Sequence, residues 1–169
     1  ILIFDECTTG FRETYGAIYP KFKVKPNMVI FGKTLGNGYA VNAILGEKEI
    51  MQKASNTFIS STFWTERIGS TAALATISEM ERIKSWEIVK KIGKRIKMKW
   101  KHISKNKSVP IIVSGLDSLC KFDFKENNET YKTFLTQEML KKGILANNSV
   151  YVSVVHDKKQ ILDKYFCAL

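Results

Sequence analysis

Met28-Val29-Ile30-Phe31-Gly32-Lys33-Thr34-Leu35-Gly36-Asn37-Gly38-Tyr39 is a short apolar run that stops at a lysine and then turns through closely spaced glycines. A run this short, rich in β-branched and aromatic residues and bounded by glycine, predicts a buried strand with chemistry at its carboxyl end. The pattern occurs twice more nearby. Ile1-Leu2-Ile3-Phe4 ends on the acidic pair Asp5-Glu6, and Asn42 to Leu45 follows the glycine loop. Successive apolar strands with polar groups just past their carboxyl ends define an open α/β sheet, in which ligands sit beyond those ends. Gly32-Lys33-Thr34 on its own invites a phosphate-loop reading. That motif requires a glycine at position 27, where Asn27 stands, so the phosphate-cradling turn is not specified.

Outward from the lysine loop, the pattern predicts a helix over Glu47–Ala54, a loop at Ile59-Ser60-Ser61-Thr62-Phe63-Trp64, and helix from Glu66 to about Asn106 with a break near Ser85. After Pro110 the texture changes. Strands at Ile111–Ser114, Leu119–Phe124 and Tyr151–Val154, a helix at 130–142 with Gly143 as its C-cap, and a closing helix from Asp157 predict a small α+β lobe. Three regions result: 1–84 as part of a large α/β domain, 85–109 as a basic connecting helix, and 110–169 as the small lobe. The apolar start at Ile1 and the uncapped helical pattern at Leu169 lead to the expectation that this is the C-terminal part of a longer protein, inactive by itself.

The formal charge of +11 is concentrated between Ile88 and Lys107, where nine Lys/Arg occur with no acid. Ile88, Val89, Ile92, Ile96, Trp100 and Ile103 recur there at three- and four-residue spacing, which predicts one amphipathic helix with a solvated lysine face. Such a face attracts polyanions non-specifically. No zinc-finger, RRM or helix-turn-helix pattern accompanies it, so a basic nucleic-acid-binding protein is the rival reading and specific nucleic-acid recognition is not expected. No apolar run approaches transmembrane length, and the odd, scattered Cys7, Cys120 and Cys167 predict reduced thiols in a cytoplasmic protein with no metal site. His102 in the basic helix and His156 at the last helix start are expected as surface or capping residues.

Three local motifs decide the function. Ile3-Phe4-Asp5-Glu6-Cys7-Thr8-Thr9-Gly10-Phe11-Arg12 resembles the strand-end segment (L/I)-(I/F)-D-E-V-x-T-G-(F/x)-R of the class III aminotransferases. Gly32-Lys33-Thr34-Leu35-Gly36-Asn37-Gly38-Tyr39 is similar to that family's G-K-x-(L/I)-G-x-G lysine loop, and Ser60-Ser61-Thr62-Phe63 to its later (G/S)-(G/S)-T-(F/L) turn. The wording around Asp5 leans toward the glutamate-1-semialdehyde aminomutase branch. The resemblance implies the fold type I architecture of pyridoxal-5′-phosphate (PLP) transferases, an open mixed sheet with helices plus a small C-terminal lobe.

It also implies roles. Lys33 carries the cofactor as a Schiff base and serves as acid and base; Asp5 pairs with the pyridine nitrogen. Thr62 binds the cofactor phosphate of a neighbouring subunit, which implies a homodimer with shared sites. Cys7 packs on the ring in place of the usual Val or Ile, and Thr8 stands where a contact to the ring hydroxyl is expected. Ala40 replaces a common proline. Trp64, Glu66 and Arg67 adjoin the phosphate turn and could face substrate or form a helix-start ion pair. The implied reaction is transfer or transposition of an amino group on a small amino, keto or amino-aldehyde compound, with sugar aminotransfer as the alternative within the same chemistry.

Overall fold

The computed structural model describes residues 1–169, which divide into two units, Ile1–Trp86 and Glu87–Leu169. In the first, strands β1 (Ile3–Asp5), β2 (Met28–Phe31) and β3 (Ala43–Gly46) form a sheet in the order β1-β2-β3. β1 and β2 run parallel with Phe4 opposite Val29 and Asp5 opposite Ile30, while β3 is antiparallel to β2. Because side chains alternate along a strand, Phe4, Val29 and Phe31 share one face and Asp5 and Ile30 the other. The first face is covered: Val29, Phe31 and Leu35 are buried together, with Phe11, Ala17, Tyr19, Ala73 and Ile77 packed against them. The opposite face is open within these residues, and Ile3 and Ile44 remain about half exposed, at 51% and 53%. The run at 1–4 predicts a buried strand; here only Phe4 is partly covered, while Ile1, Leu2 and Ile3 are exposed, and of the third strand only Ala43 is partly covered.

Helix α1 (Lys48–Met51) passes into a 3-10 turn over Gln52–Asn56, shorter and looser than the helix expected at 47–54, since neither piece buries a residue. Helix α2 (Arg67–Ile83) ends where Lys84 adopts a left-handed conformation (φ 50°, ψ 50°) and its N–H returns to the Met80 and Glu81 carbonyls. That left-handed residue is the physical cause of the break expected near Ser85.

Helix α3 (Ser85–Lys107) supplies the core of the second unit. Its Val89, Ile92, Ile96 and Trp100 are buried with Cys120, Phe122, Val152 and Leu162, the last three drawn from the sheet, its edge and the final helix. Gly93 interrupts the stripe because the Asp117 backbone lies against it, leaving no room for a Cβ. The sheet is antiparallel in the order β4-β5-β6: β4 (Ile111–Gly115), β5 (Leu119–Phe124) and β6 (Ser149–Tyr151). Helix α4 (Asn128–Lys141) closes on Gly143 (φ 71°), with Gly143 N–H donating to Leu140 O at 2.8 Å and Ile144 N–H to Met139 O at 3.0 Å. This pair of bonds is the Schellman cap, and the positive φ is why glycine stands there.

β6 stops earlier than the expected strand at 151–154. Ser153 begins a capping box: its hydroxyl accepts from Val155 N–H at 3.3 Å, and His156 Nδ1 accepts from Ser153 N–H at 3.1 Å. A short 3-10 turn (Val154–Asp157) therefore replaces strand, and α5 (Lys159–Ala168) closes the chain. Part of the basic charge on α3 is used inside this unit. Arg95 pairs with Asp163 at 3.6 Å, Lys97 with Asp117 at 2.7 Å, and Lys99 lies 5.9 Å from the Phe166 ring centre. No helix is long and apolar enough to cross a membrane.

Candidate active site

The parallel pairing of β1 and β2 brings two carboxyl ends side by side. The ladder continues one step past Asp5, where Glu6 N–H donates to Ile30 O at 2.8 Å, so Asp5 and the Gly32-Lys33 turn leave the same edge of the sheet. Lys33 lies just beyond β2 with φ at 41°, in the left-handed region that residues with a Cβ enter at a cost of roughly 1 kcal/mol or more. The loop that forces this conformation is anchored by Leu35, 6% exposed in the core of the unit. It is closed by Leu35 N–H to Gly32 O (3.0 Å), Asn37 N–H to Lys33 O (2.9 Å) and Tyr39 N–H to Gly36 O (3.1 Å). Gly38 takes φ 106°, which glycine alone tolerates easily, and Gly36 has the Tyr39 carbonyl where a Cβ would be.

At the tip, Lys33 Nζ donates to Thr8 Oγ1 at 2.5 Å. Asp5 Oδ1 accepts from Cys7 N–H at 3.0 Å. That amide, then the Cys7 thiol, and more weakly the Lys33 charge, hold the Asp5 carboxyl below its ordinary value of 3.8. Cys7 moves the other way: burial first, then its bond to Asp5, raise the thiol above its ordinary value. The result is a carboxylate biased toward its charged form, a thiol biased toward its neutral form, a hydroxyl and an amine gathered at the ends of two neighbouring strands.

The segment between β1 and β2 is held by groups whose role the sequence did not disclose. Asp5 and Glu6 are adjacent, so strand alternation sends them to opposite sides. Asp5 is exposed, whereas Glu6 is 3% exposed and accepts from Ile18 N–H at 2.6 Å and Tyr19 N–H at 3.0 Å. Glu13, 1% exposed, pairs with Lys21. Arg12 Nε donates to the Thr8 carbonyl at 2.6 Å, and Phe11 meets Phe31 edge-on with ring centres 5.2 Å apart. Asn42 packs against Gly32, where its side-chain oxygen would block a Cβ. The period-2 pattern and the unusual acid pair were the available signals for Glu6, and the motif that ends on Arg12 was the signal for that residue; nothing local marked Asn42.

Asp5, Cys7, Thr8 and Lys33 are thus brought together. Thr62 is not among them: it sits in an exposed loop whose bonds are local, such as Phe63 N–H to Ser61 Oγ at 3.3 Å and Trp64 N–H to Ser61 O at 3.2 Å. Trp64 is 66% exposed, and Glu66 is the N-cap residue of α2 without a side-chain capping bond. No group of three or more His, Cys, Asp or Glu is placed to hold a metal ion.

The family model of the class-III aminotransferases matches residues 1–157. The chain is 34% identical over 139 residues to the 3-aminobutyryl-CoA aminotransferase of Cloacimonas acidaminovorans, covering 81% of this chain and 34% of that protein. It is 29% identical over 189 residues to the glutamate-1-semialdehyde 2,1-aminomutase of Clostridium botulinum, covering 99% of this chain and 44% of that protein. Among solved structures, the PLP internal aldimine form of the FumI protein of Sphingopyxis sp. MTA144 superposes with a TM-score of 0.89 at 18% identity, over 98% of this chain and 41% of that one. That likeness shows the fold, a part of the PLP-dependent transaminase architecture. The chain belongs to the class-III aminotransferase family, and a transaminase with PLP bound superposes on it with a TM-score of 0.87 at 15% identity, over 99% of this chain and 42% of that one. The chain spans less than half the length of these relatives. The donor set fits the cofactor: an ionised carboxylate for a ring nitrogen and an amine for an aldehyde lie at one sheet edge.

Proposed function

We propose that Lys33 is the covalent anchor of pyridoxal phosphate, and that the enzyme transfers or transposes an amino group on a small amino, keto or amino-aldehyde substrate. The observation that carries this reading is the convergence of the Asp5 carboxylate and the Lys33 amine at the ends of paired parallel strands. When bound, the cofactor supplies a protonated ring that accepts electron density from the substrate's α-carbon. Asp5 keeps the ring nitrogen protonated, and its lowered pKa supports that role because the carboxylate stays charged across the physiological range. Lys33 Nζ would hold the cofactor aldehyde and, once a substrate amine has taken its place, would move the proton at the substrate α-carbon.

Cys7 is the small apolar surface beside the ring, consistent with a thiol held neutral, and Thr8 borders it. Thr62, exposed on its own loop, is assigned to the cofactor phosphate of a second subunit, which makes the working form a homodimer with shared sites. Three cysteines, of which none forms a disulfide and one is exposed, fit a reducing, cytoplasmic setting.

The test is direct. The intact protein is incubated with pyridoxal phosphate, reduced with borohydride and mapped by peptide mass spectrometry. The label is expected on Lys33; a stoichiometric adduct on another lysine overturns the assignment.

A further inference from the structure

The Lys33 side chain is fixed at both ends. Its Cα is committed to a left-handed φ of 41° by the loop, and its Nζ donates to Thr8 Oγ1 at 2.5 Å. Thr8 is held in turn. Arg12 Nε donates to its carbonyl at 2.6 Å, and the turn that contains it is closed by Gly10 N–H to Glu6 O at 2.8 Å. Glu6 is locked by the Ile18 and Tyr19 amides. A series of bonds therefore runs from the buried base of the loop to the tip of the lysine. Threonine suits the last position because its branched Cβ restricts χ1, so the hydroxyl oxygen stays where the backbone puts it.

We propose that Thr8 is a positioning residue that holds the Lys33 amine beside Asp5 whenever that amine is not covalently engaged. The inference rests on Lys33 being the covalent anchor. The anchor must form its bond and give it up in every reaction cycle. In forming it, the neutral amine adds to the aldehyde carbon and a carbon–nitrogen double bond results; the aldehyde oxygen leaves with both amine hydrogens as water. A substrate amine reverses that bond for Lys33 by taking its place. The freed lysine has a long, flexible stem and, without an acceptor, would spread over many rotamers. The Thr8 hydroxyl confines it to one, and a confined amine carries the orientation advantage that raises effective molarity. The role differs from a contact to the cofactor ring: the partner of the hydroxyl is the lysine.

The experiment uses the intact protein freed of cofactor, as wild type, Thr8→Val and Thr8→Ser. Two quantities are measured: the rate of covalent attachment of pyridoxal phosphate by stopped-flow absorbance, and the affinity for pyridoxine 5′-phosphate, which has no aldehyde. Thr8→Val is expected to slow attachment about tenfold, the equivalent of one hydrogen bond, while pyridoxine phosphate binds within about twofold of wild type. Thr8→Ser recovers most of the rate. Unchanged pyridoxine phosphate binding also reports that the variant is folded. Equal attachment rates in wild type and Thr8→Val overturn the proposal. So does a parallel loss of attachment and pyridoxine phosphate affinity, which makes Thr8 a ring contact. Failure of the underlying assignment looks different: the wild-type adduct maps elsewhere, and Lys33→Ala attaches the cofactor as fast as wild type.

Discussion

The Cys7 backbone N–H donates to Asp5 Oδ1 at 3.0 Å, and the Cys7 thiol beside the same carboxylate helps to lower the Asp5 pKa. Two consequences follow from this pair, one for each partner, because the contact favours the charged form of the acid and the neutral form of the thiol.

For Asp5, the carboxyl titrates below 3.8, so lowering the pH to 5 leaves it ionised. Asp5→Asn keeps the shape and removes the charge. Cofactor binding is expected to stay near normal while turnover falls roughly 10²–10³-fold, the usual consequence of removing one preorganised electrostatic group. Steady-state kinetics with equilibrium cofactor titration check this. Wild-type turnover in Asp5→Asn removes the carboxylate from the chemistry.

For Cys7, burial and the Asp5 contact raise the thiol, so the reactive thiolate is scarce near neutrality. Cys167 is exposed and Cys120 is buried. Timed iodoacetamide labelling at pH 7 is expected to modify Cys167 first, Cys7 far more slowly and Cys120 only on unfolding. Peptide mapping that finds Cys7 labelled ahead of Cys167 contradicts the account.

His156 couples the second unit to pH. Its Nδ1 accepts from Ser153 N–H at 3.1 Å, and burial lowers its pKa below 6.5. The neutral ring is the folded form and the unfolded chain binds the extra proton. The contribution to stability is therefore present above 6.5 and is lost as pH falls through the lower folded value. His156→Gln retains a capping-box acceptor that does not titrate. Thermal unfolding is expected to show a shallower loss of stability between pH 7 and 5 in the variant; parallel curves eliminate His156 as the cause.

Trp100 joins the basic helix to the last one. It is 2% exposed, its Nε1–H donates to Tyr165 OH at 3.0 Å, and its ring meets Phe122 edge-on at 4.8 Å. Burial pushes the Tyr165 phenol up to about 12, so the hydroxyl needs its partner as a neutral group. Trp100→Phe leaves that phenol short of a donor and is expected to cost about 1–3 kcal/mol. Trp100→Ala also opens a cavity and is expected to cost about 3–5 kcal/mol. Urea unfolding curves of the two variants give the comparison, and a loss-free Trp100→Phe would show the bond to be incidental.

Much of this architecture is legible in one dimension because it rests on local patterns. The runs at Met28–Phe31 and Leu119–Phe124 are strands at those bounds, and Gly143 caps its helix through a left-handed turn that glycine favours. The lysine at a strand end with glycines behind it, and the Asp-Glu-Cys-Thr-Thr-Gly-Phe-Arg segment, were enough to bring Asp5, Cys7, Thr8 and Lys33 under suspicion. Each is a short-range signal: a period of two, a glycine where φ turns positive, or a motif within ten residues.

What only the tertiary structure decided depends on partners far apart in sequence. Strand pairing, not residue type, made Asp5 and Lys33 neighbours, and the hydroxyl accepting the lysine amine lies 25 residues before it. Adjacent acids were separated by alternation, Asp5 to the open edge and Glu6 into the loop as a buried acceptor for the Ile18 and Tyr19 amides. The spacing in the basic helix predicts an apolar stripe turned toward a core; which residues cover that stripe, Cys120, Phe122, Val152 and Leu162, was decided by the fold. Hydrophobic periodicity specifies that a face must be covered, but burial is satisfied by whichever apolar surface the chain folds against it, and that choice exists only in three dimensions.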